Sequence, residues 1–423
     1  HGYLAGSTVV DGITSPVVYD LLRPAIFAVS PSVASLGQFV DVSGGGFVGS
    51  PAGSPTSATA LTLLDLSGQF TPDGGGAVSD VSITLVPRFV SGLLVRYVLD
   101  EADGLGQRVD LRKVTGTFVG DIRPTVIYAG DEVTGSATPV MLGIAPVKQV
   151  VWLSFLSSYV ESLRHFGLRA LDRQLRARIF AVARRDYAGL NVEFVADRPQ
   201  GFAAYGRVDI TGPDPNEKGY FGYDNSPGKD VGNKRLYDQI GGVNAETQED
   251  GYAGYGGIFI ESFFGFSEHP NGMASQLEAS EHLFDEIFDP FRPDQAGAPV
   301  LARDLAGDGI VELPSGNSCP ARSGARPEQI ACAIWALGSM IGTTVTHEVG
   351  HSLGLANPYG EGFHNPGDEP NRLMDGGAAR SFAERTELLG EGPAVFCDDE
   401  IDYLKVILPT RDPAPDVERR GCF

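Results

Sequence analysis

The sequence predicts a multidomain protein, an N-terminal all-β sandwich followed by an α/β (α+β) domain, on three observations. At 423 residues the chain exceeds what one ordinary core accommodates, since domains run on the order of 100 to 200 residues. Residues 23–145 are rich in Gly, Ser, Thr, Val and Pro and carry short alternating apolar runs, among them Phe39 to Val42, Ser82 to Val86 and Leu93 to Leu99. Short strands broken by turn residues are the pattern of a sandwich. From residue 146 the composition changes: Val147 to Phe155 reads as a buried strand, Ser157 to Tyr187 as one amphipathic helix, and Leu190 to Val195 as a second strand. That order predicts a βαβ unit feeding a parallel sheet within a domain over 146–423. Residues 1–22 are expected to be an extension, a linker or an added edge strand.

Composition narrows the functional classes. With 42% hydrophobic and 20% charged residues the chain has the make-up of a globular protein. A net charge of −22 opposes binding to nucleic acid or to an anionic membrane, both of which need clustered Lys and Arg. No run of about 18 consecutive apolar residues is present, so no membrane insertion is expected. Four cysteines, Cys319, Cys332, Cys397 and Cys422, fall into two pairs close in sequence. Two local disulfides in an oxidising compartment are expected, with other pairings or buried free thiols as alternatives. The chain begins at His1 without an initiator Met, which fits a trimmed product or an engineered one equally.

Within the β-rich part, RPAIFAVSPSVASLGQFVDVSGGGFVG (Arg23 to Gly49) resembles the opening of IPT/TIG immunoglobulin-like domains, with a proline-led strand, an alternating Val strand and a GxGF turn. The resemblance implies an immunoglobulin-like sandwich that serves as a spacer, packing partner or adhesion module and carries no chemistry. In the second part, Gly257 to Phe266 reads as a strand. Pro327 and Glu328 look like a helix start, and the run from there to Leu353 is apolar nearly all round, as a buried central helix would be.

Near the end of that helix stands H-E-x-x-H, His347, Glu348 and His351. Residues four apart share a helical face with Cβ atoms about 5 to 6 Å apart, so both imidazoles reach one metal. Zinc accepts neutral imidazole nitrogen, and Glu348 is placed to act as general base towards a water attacking a carbonyl. Two helical histidines without a metal is the plainer alternative.

Gly354 follows His351 by three, and Leu373-Met374 lies downstream in a Gly- and Pro-rich segment. The stretch HEVGHSLGLANPYGEGFHNPGDEPNRLMDGG resembles the metzincin metallopeptidases, whose HExxHxxG motif is completed by a third His or Asp and a methionine turn. The resemblance implies that Gly354 ends the helix, that Met374 floors the site, and that one catalytic zinc is bound. It further implies a zinc-dependent endopeptidase acting on protein or peptide substrates through a zinc-activated water. The expected third-ligand position holds Asn357, a weak zinc ligand. His364, ten residues before Met374, is therefore read as the third ligand across a loop insertion, with Asn357, Asp368 or no third protein ligand as alternatives. Secretion, or a periplasmic or cell-surface location, follows from this reading and the cysteines. The rival is a noncatalytic adhesion or scaffold protein with a degenerate metzincin domain, favoured by Asn357. Asp304 and Asp308 suggest a calcium loop but miss the EF-hand spacing, so an acidic turn is preferred. His165, His269 and His282 lack ligand-spaced partners and are read as surface or satisfied core residues.

Overall fold

The structure is a computed structural model that describes residues 2–10, 13–21, 23–50, 60–102, 105–227, 232–244, 251–277, 282–305, 319, 324–355, 364–366, 369–377, 380–410, 412–413 and 421–422. It is a mixed α/β protein with several sheets and two compact units, one of residues 1–148 with 200–203 and one of 149–199 with 204–423.

The first unit contains only strands among its described residues. They are β1 (Gly2–Val10), β2 (Ile13–Leu21), β3 (Ala25–Ser30), β4 (Val33–Ala34), β5 (Phe39–Gly45), β6 (Ala60–Pro72), β7 (Ser79–Leu85), β8 (Arg88–Ser91), β9 (Leu94–Val98), β10 (Gly116–Tyr128), β11 (Asp131–Thr134) and β12 (Thr138–Ile144). Where a linker or single edge strand was expected, β1 and β2 pair with each other as an antiparallel hairpin. A four-stranded sheet runs β3-β5-β9-β8, and a six-stranded one runs β4-β12-β10-β6-β7 with β11 on β10. Period-two alternation decides which side chains are covered. Val40 and Val42 of β5, Val95 and Tyr97 of β9, Leu64, Leu66 and Phe70 of β6 and Phe118 of β10 are buried, and their neighbours in sequence are not.

The second unit is built on a mostly parallel sheet. Its elements are β13 (Gln149–Phe155), α1 (Ser157–Ser162), α2 (Asp172–Asp186), β14 (Val192–Val195), β15 (Gly206–Thr211), β16 (Gly222–Tyr223), β17 (Gln239–Ile240), β18 (Gly242–Asn244), β19 (Gly254–Phe259), α3 (His282–Phe288), α4 (Arg326–Ser352), α5 (Phe382–Thr386) and α6 (Asp398–Ile407). The sheet order is β14-β13-β15-β19-β16; β13 pairs in parallel with β14 and β15, and β19 in parallel with β15. At the end of the order, β16 runs antiparallel to β19.

Two expectations are corrected here. The span from Ser157 to Tyr187 is two helices and not one, because Gly167 turns left-handed at φ 69° against the Phe291 carbonyl. The span Gly257 to Phe266 is strand only to Phe259 and continues as a 3-10 helix, Ile260–Phe266, that buries Phe263, Phe264 and Phe266. Phe264 and Phe266 join Phe166, Phe284, Phe288 and Phe382 in an aromatic cluster, which Phe263 meets through Phe221.

Helix α4 is the centre of this unit, buried at almost every position from Ile330 to Ser352. Among the described residues it is the one helix long and apolar enough to cross a membrane, yet 94% of its apolar window is covered by protein. It packs on α2 without room for side chains at the contact, since a Cβ at Gly342 would lie 2.7 Å from Val182 Cβ, and one at Gly338 2.6 Å from Arg178 Cγ. Overpacking such a contact costs about 1 to 3 kcal/mol. Gly342→Val is accordingly expected to lower the denaturation midpoint without changing the slope, measured by chemical unfolding of the two proteins side by side.

Candidate metal centre

Three imidazoles meet at the C-terminal end of α4. His347 and His351 share its buried face, and His364 comes from the segment before Leu373, so that one ligating atom of each lies within 4.8 Å of the others. The ring centroids of His364 are 5.2 Å from those of His347 and of His351.

Backbone carbonyls fix the state of two rings. His347 Nδ1 lies 2.7 Å from Leu373 O, and His351 Nδ1 lies 2.8 Å from Leu355 O. A carbonyl only accepts, so each Nδ1 carries the proton and donates it, leaving a lone pair on each Nε2. Those two Nε2 atoms are 3.1 Å apart. Two lone pairs at that distance repel unless an electrophile lies between them, and nitrogens sharing a tetrahedral zinc are separated by about 3.3 Å for bonds of about 2.0 to 2.1 Å. Burial, then His351 and His364 alongside, holds His347 well below the usual imidazole range, so it is neutral as a ligand must be. The group could therefore hold a metal ion.

The surroundings place these rings. Gly354 adopts φ 94°, a conformation side chains resist, and the reversal brings Leu355 O back to His351. Met374 is 2% exposed and packs on the helix where it has no side chain, so that a methyl at Gly350 would meet Met374 Sδ at 2.6 Å. Residues 373 to 375 thus do two things, since Leu373 O holds His347 while Met374 O accepts Asn365 N at 3.1 Å next to His364. Asn365 Nδ2 also donates to Glu400 Oε1 of α6 at 2.9 Å, and Tyr403 of α6 donates to Leu353 O at 2.7 Å. The disulfide Cys397–Cys422 anchors the start of α6, and a second disulfide joins Cys319 to Cys332 in α4.

Glu348 is buried beside the rings. Its Oε2 accepts the Asp224 amide N–H at 2.8 Å, and β16 approaches so closely that a Cβ at Gly222 would stand 2.5 Å from Glu348 Oε1. These residues line one cleft of about 460 Å³ together with Gly219 to Asp224, Gly377 and Arg385.

Other sequence-singled residues fare differently. Asn357, Asp308 and Asp368 lie outside the described residues. Asp304 accepts Leu301 N at 2.9 Å and pairs with Arg326 at 3.6 Å, which leaves it as part of a turn. His165 faces Glu261, and His282 faces Glu268 and Glu286. His269 does have partners that spacing failed to show, because it meets Asp285 and Asp289 within 4.8 Å. The fully buried Arg292 already lies 3.4 Å and 3.3 Å from those two carboxylates and supplies their counter-charge. Sequence reading missed Leu373 O, Leu355 O, Gly222, Asp224 and Arg385. No local signal marks them, since backbone groups and ordinary loop residues become functional only through contacts distant in sequence.

Compared with known protein families, curated proteins and solved structures, the chain matches none.

The lowered His347 value sets a pH dependence. Unfolded, the ring takes a proton near pH 6.5, whereas folded it resists; stability is thus present above about 6.5 and lost as pH falls below it. Thermal unfolding in a chelator between pH 8 and 5 is expected to show this loss, and His347→Gln to flatten it.

Proposed function

We propose that this chain is a zinc-dependent endopeptidase of metzincin-like type, exported to an oxidising compartment, with an immunoglobulin-like sandwich ahead of the catalytic domain. The observation that carries the reading is Glu348: a carboxylate held by a backbone N–H at 2.8 Å, in the wall of the cleft that the three imidazoles also line. Metal binding alone does not call for that carboxylate, but hydrolysis does.

His347, His351 and His364 would hold the ion. When bound, zinc supplies Lewis acidity, polarising a carbonyl and making a nearby water more acidic. Glu348 takes the proton of the water that attacks the scissile carbonyl and passes it to the departing amine nitrogen, so no covalent acyl-enzyme forms. The Asp224 N–H keeps the carboxylate oriented, and Gly222 provides the space it occupies. An extended peptide suits the cleft, because β16 ends the sheet order with β19 as its strand partner among the described residues. A chain laid along that side would extend the sheet and present its amide bonds to the histidines.

Zinc content and casein cleavage of the purified protein test the assignment. Glu348→Ala should keep zinc and lose about 10² to 10⁴ in kcat, the usual worth of a general base. His364→Ala should lose both zinc and cleavage, and Asn357→Ala should stay active. Full activity in Glu348→Ala would sink the mechanism, and full activity in His364→Ala the ligand set.

A further inference from the structure

Five arginines are buried among the described residues, Arg178, Arg292, Arg372, Arg380 and Arg385. Four have a carboxylate: Arg178 pairs with Glu387 at 3.0 Å, Arg292 with Asp294 at 2.7 Å, Arg372 with Asp375 at 3.0 Å and Arg380 with Glu384 at 2.9 Å. Arg385 pairs with no carboxylate of the described residues, though it is only 3% exposed. Its Nη2 donates to Gly377 O at 2.7 Å, its Nε to Arg380 O at 3.4 Å, and its guanidinium lies 4.9 Å over the ring of Phe221. Carbonyls and a ring face orient a guanidinium without neutralising it.

Glu384, already held by Arg380 at 2.9 Å, and Glu348 act on Arg385 from beyond ion-pair distance, so its buried charge is only partly compensated and a carboxylate brought into the cleft would complete it. Burial, then Arg380 nearby, lowers the Arg385 pKa to about 9 against the opposing pull of Glu384 and Glu348, so the side chain is still a cation at neutral pH. Its location gives the anion a role, since Arg385 lines the same cleft as His347, Glu348, His351 and His364. Glu348 lies beyond ion-pair distance yet acts on the guanidinium electrostatically, while its Oε2 atom accepts the Asp224 N–H at 2.8 Å. Phe221 and Gly377, which hold the guanidinium, are cleft residues too. A planar guanidinium in the wall of the cleft matches a carboxylate in shape and charge.

We infer that Arg385 is a specificity residue of this cleft and receives a carboxylate of the substrate near the scissile bond. The inference rests on the peptidase reading and deepens it. The carboxylate has two sources, an Asp or Glu side chain or the free C-terminus of a short peptide.

The test uses the zinc-loaded full chain and internally quenched peptides. These carry Glu, Gln or Lys at each of two positions on either side of the cleaved bond, with a free or an amidated C-terminus. The expected result is a kcat/KM at least about tenfold higher for Glu than for Gln at one position, and lower still for Lys, in line with the discrimination that buried polar recognition achieves. A preference tied only to the free C-terminus identifies the terminal carboxylate as the source. Arg385→Ala should abolish the preference and Arg385→Lys retain part of it, with zinc content unchanged in both. Calorimetric titration of zinc-loaded Glu348→Ala with the Glu and Gln peptides should show the same order in binding without turnover. Should the parent cleave peptides but treat Glu and Gln alike at all positions, and free and amidated termini alike, the inference is overturned and the peptidase reading stands. Absence of any peptide or casein cleavage by the parent removes both together.

Discussion

Two backbone carbonyls govern the site. By accepting from Nδ1 of His347 and His351, Leu373 O and Leu355 O force both Nε2 lone pairs to converge, 3.1 Å apart, in a buried position. A buried histidine ordinarily relieves its desolvation by one hydrogen bond per nitrogen. Here one nitrogen of each ring is satisfied in a way that turns the other towards a position where, with His364, a metal ion could be held. Much of the local architecture serves to deliver those carbonyls, namely the left-handed Gly354, the seat of Met374 against Gly350, and the pairing of Asn365 with the strand-like segment after Leu373.

That arrangement explains why α4 is so thoroughly covered. An imidazole pair exposed to water would titrate near its ordinary value and rotate freely, whereas burial keeps His347 neutral and its ring fixed. The cover comes from α2, which reaches α4 across Gly338 and Gly342, from the aromatic cluster, and from α6, whose Tyr403 and Glu400 bond to Leu353 and Asn365, next to His351 and His364. Burial pushes Glu400 up to about 7, the price of placing a carboxylate where it can hold both Asn365 and the Cys397 amide.

Charge follows the same economy across the second unit. Buried arginines are matched to acids, even in the tight group of Arg292 with Asp285, Asp289 and Asp294, where His269 joins and gives the outward look of a second metal site. Against that background Arg385 is, among the described residues, the buried arginine with no carboxylate at ion-pair distance, and it lies in the cleft wall.

The sequence by itself determined α4 and the relation of His347, Glu348 and His351, because residues four apart on a helix are neighbours whatever the rest of the chain does. It also indicated the short alternating strands of the first unit and the close cysteine pairs, which are likewise local properties. The break at Gly167 and the turn from strand to 3-10 helix after Phe259 were not legible, since both are imposed by contacts with distant segments. Counting back from Met374 singled out His364, but only the tertiary structure brought its ring to the other two, through Asn365, Met374 and Glu400. The same holds for Leu373 O, the Asp224 N–H, the space at Gly222 and the place of Arg385 in the cleft wall. Each is a backbone group, an empty volume or an ordinary side chain, and acquires its chemistry from what the fold sets beside it.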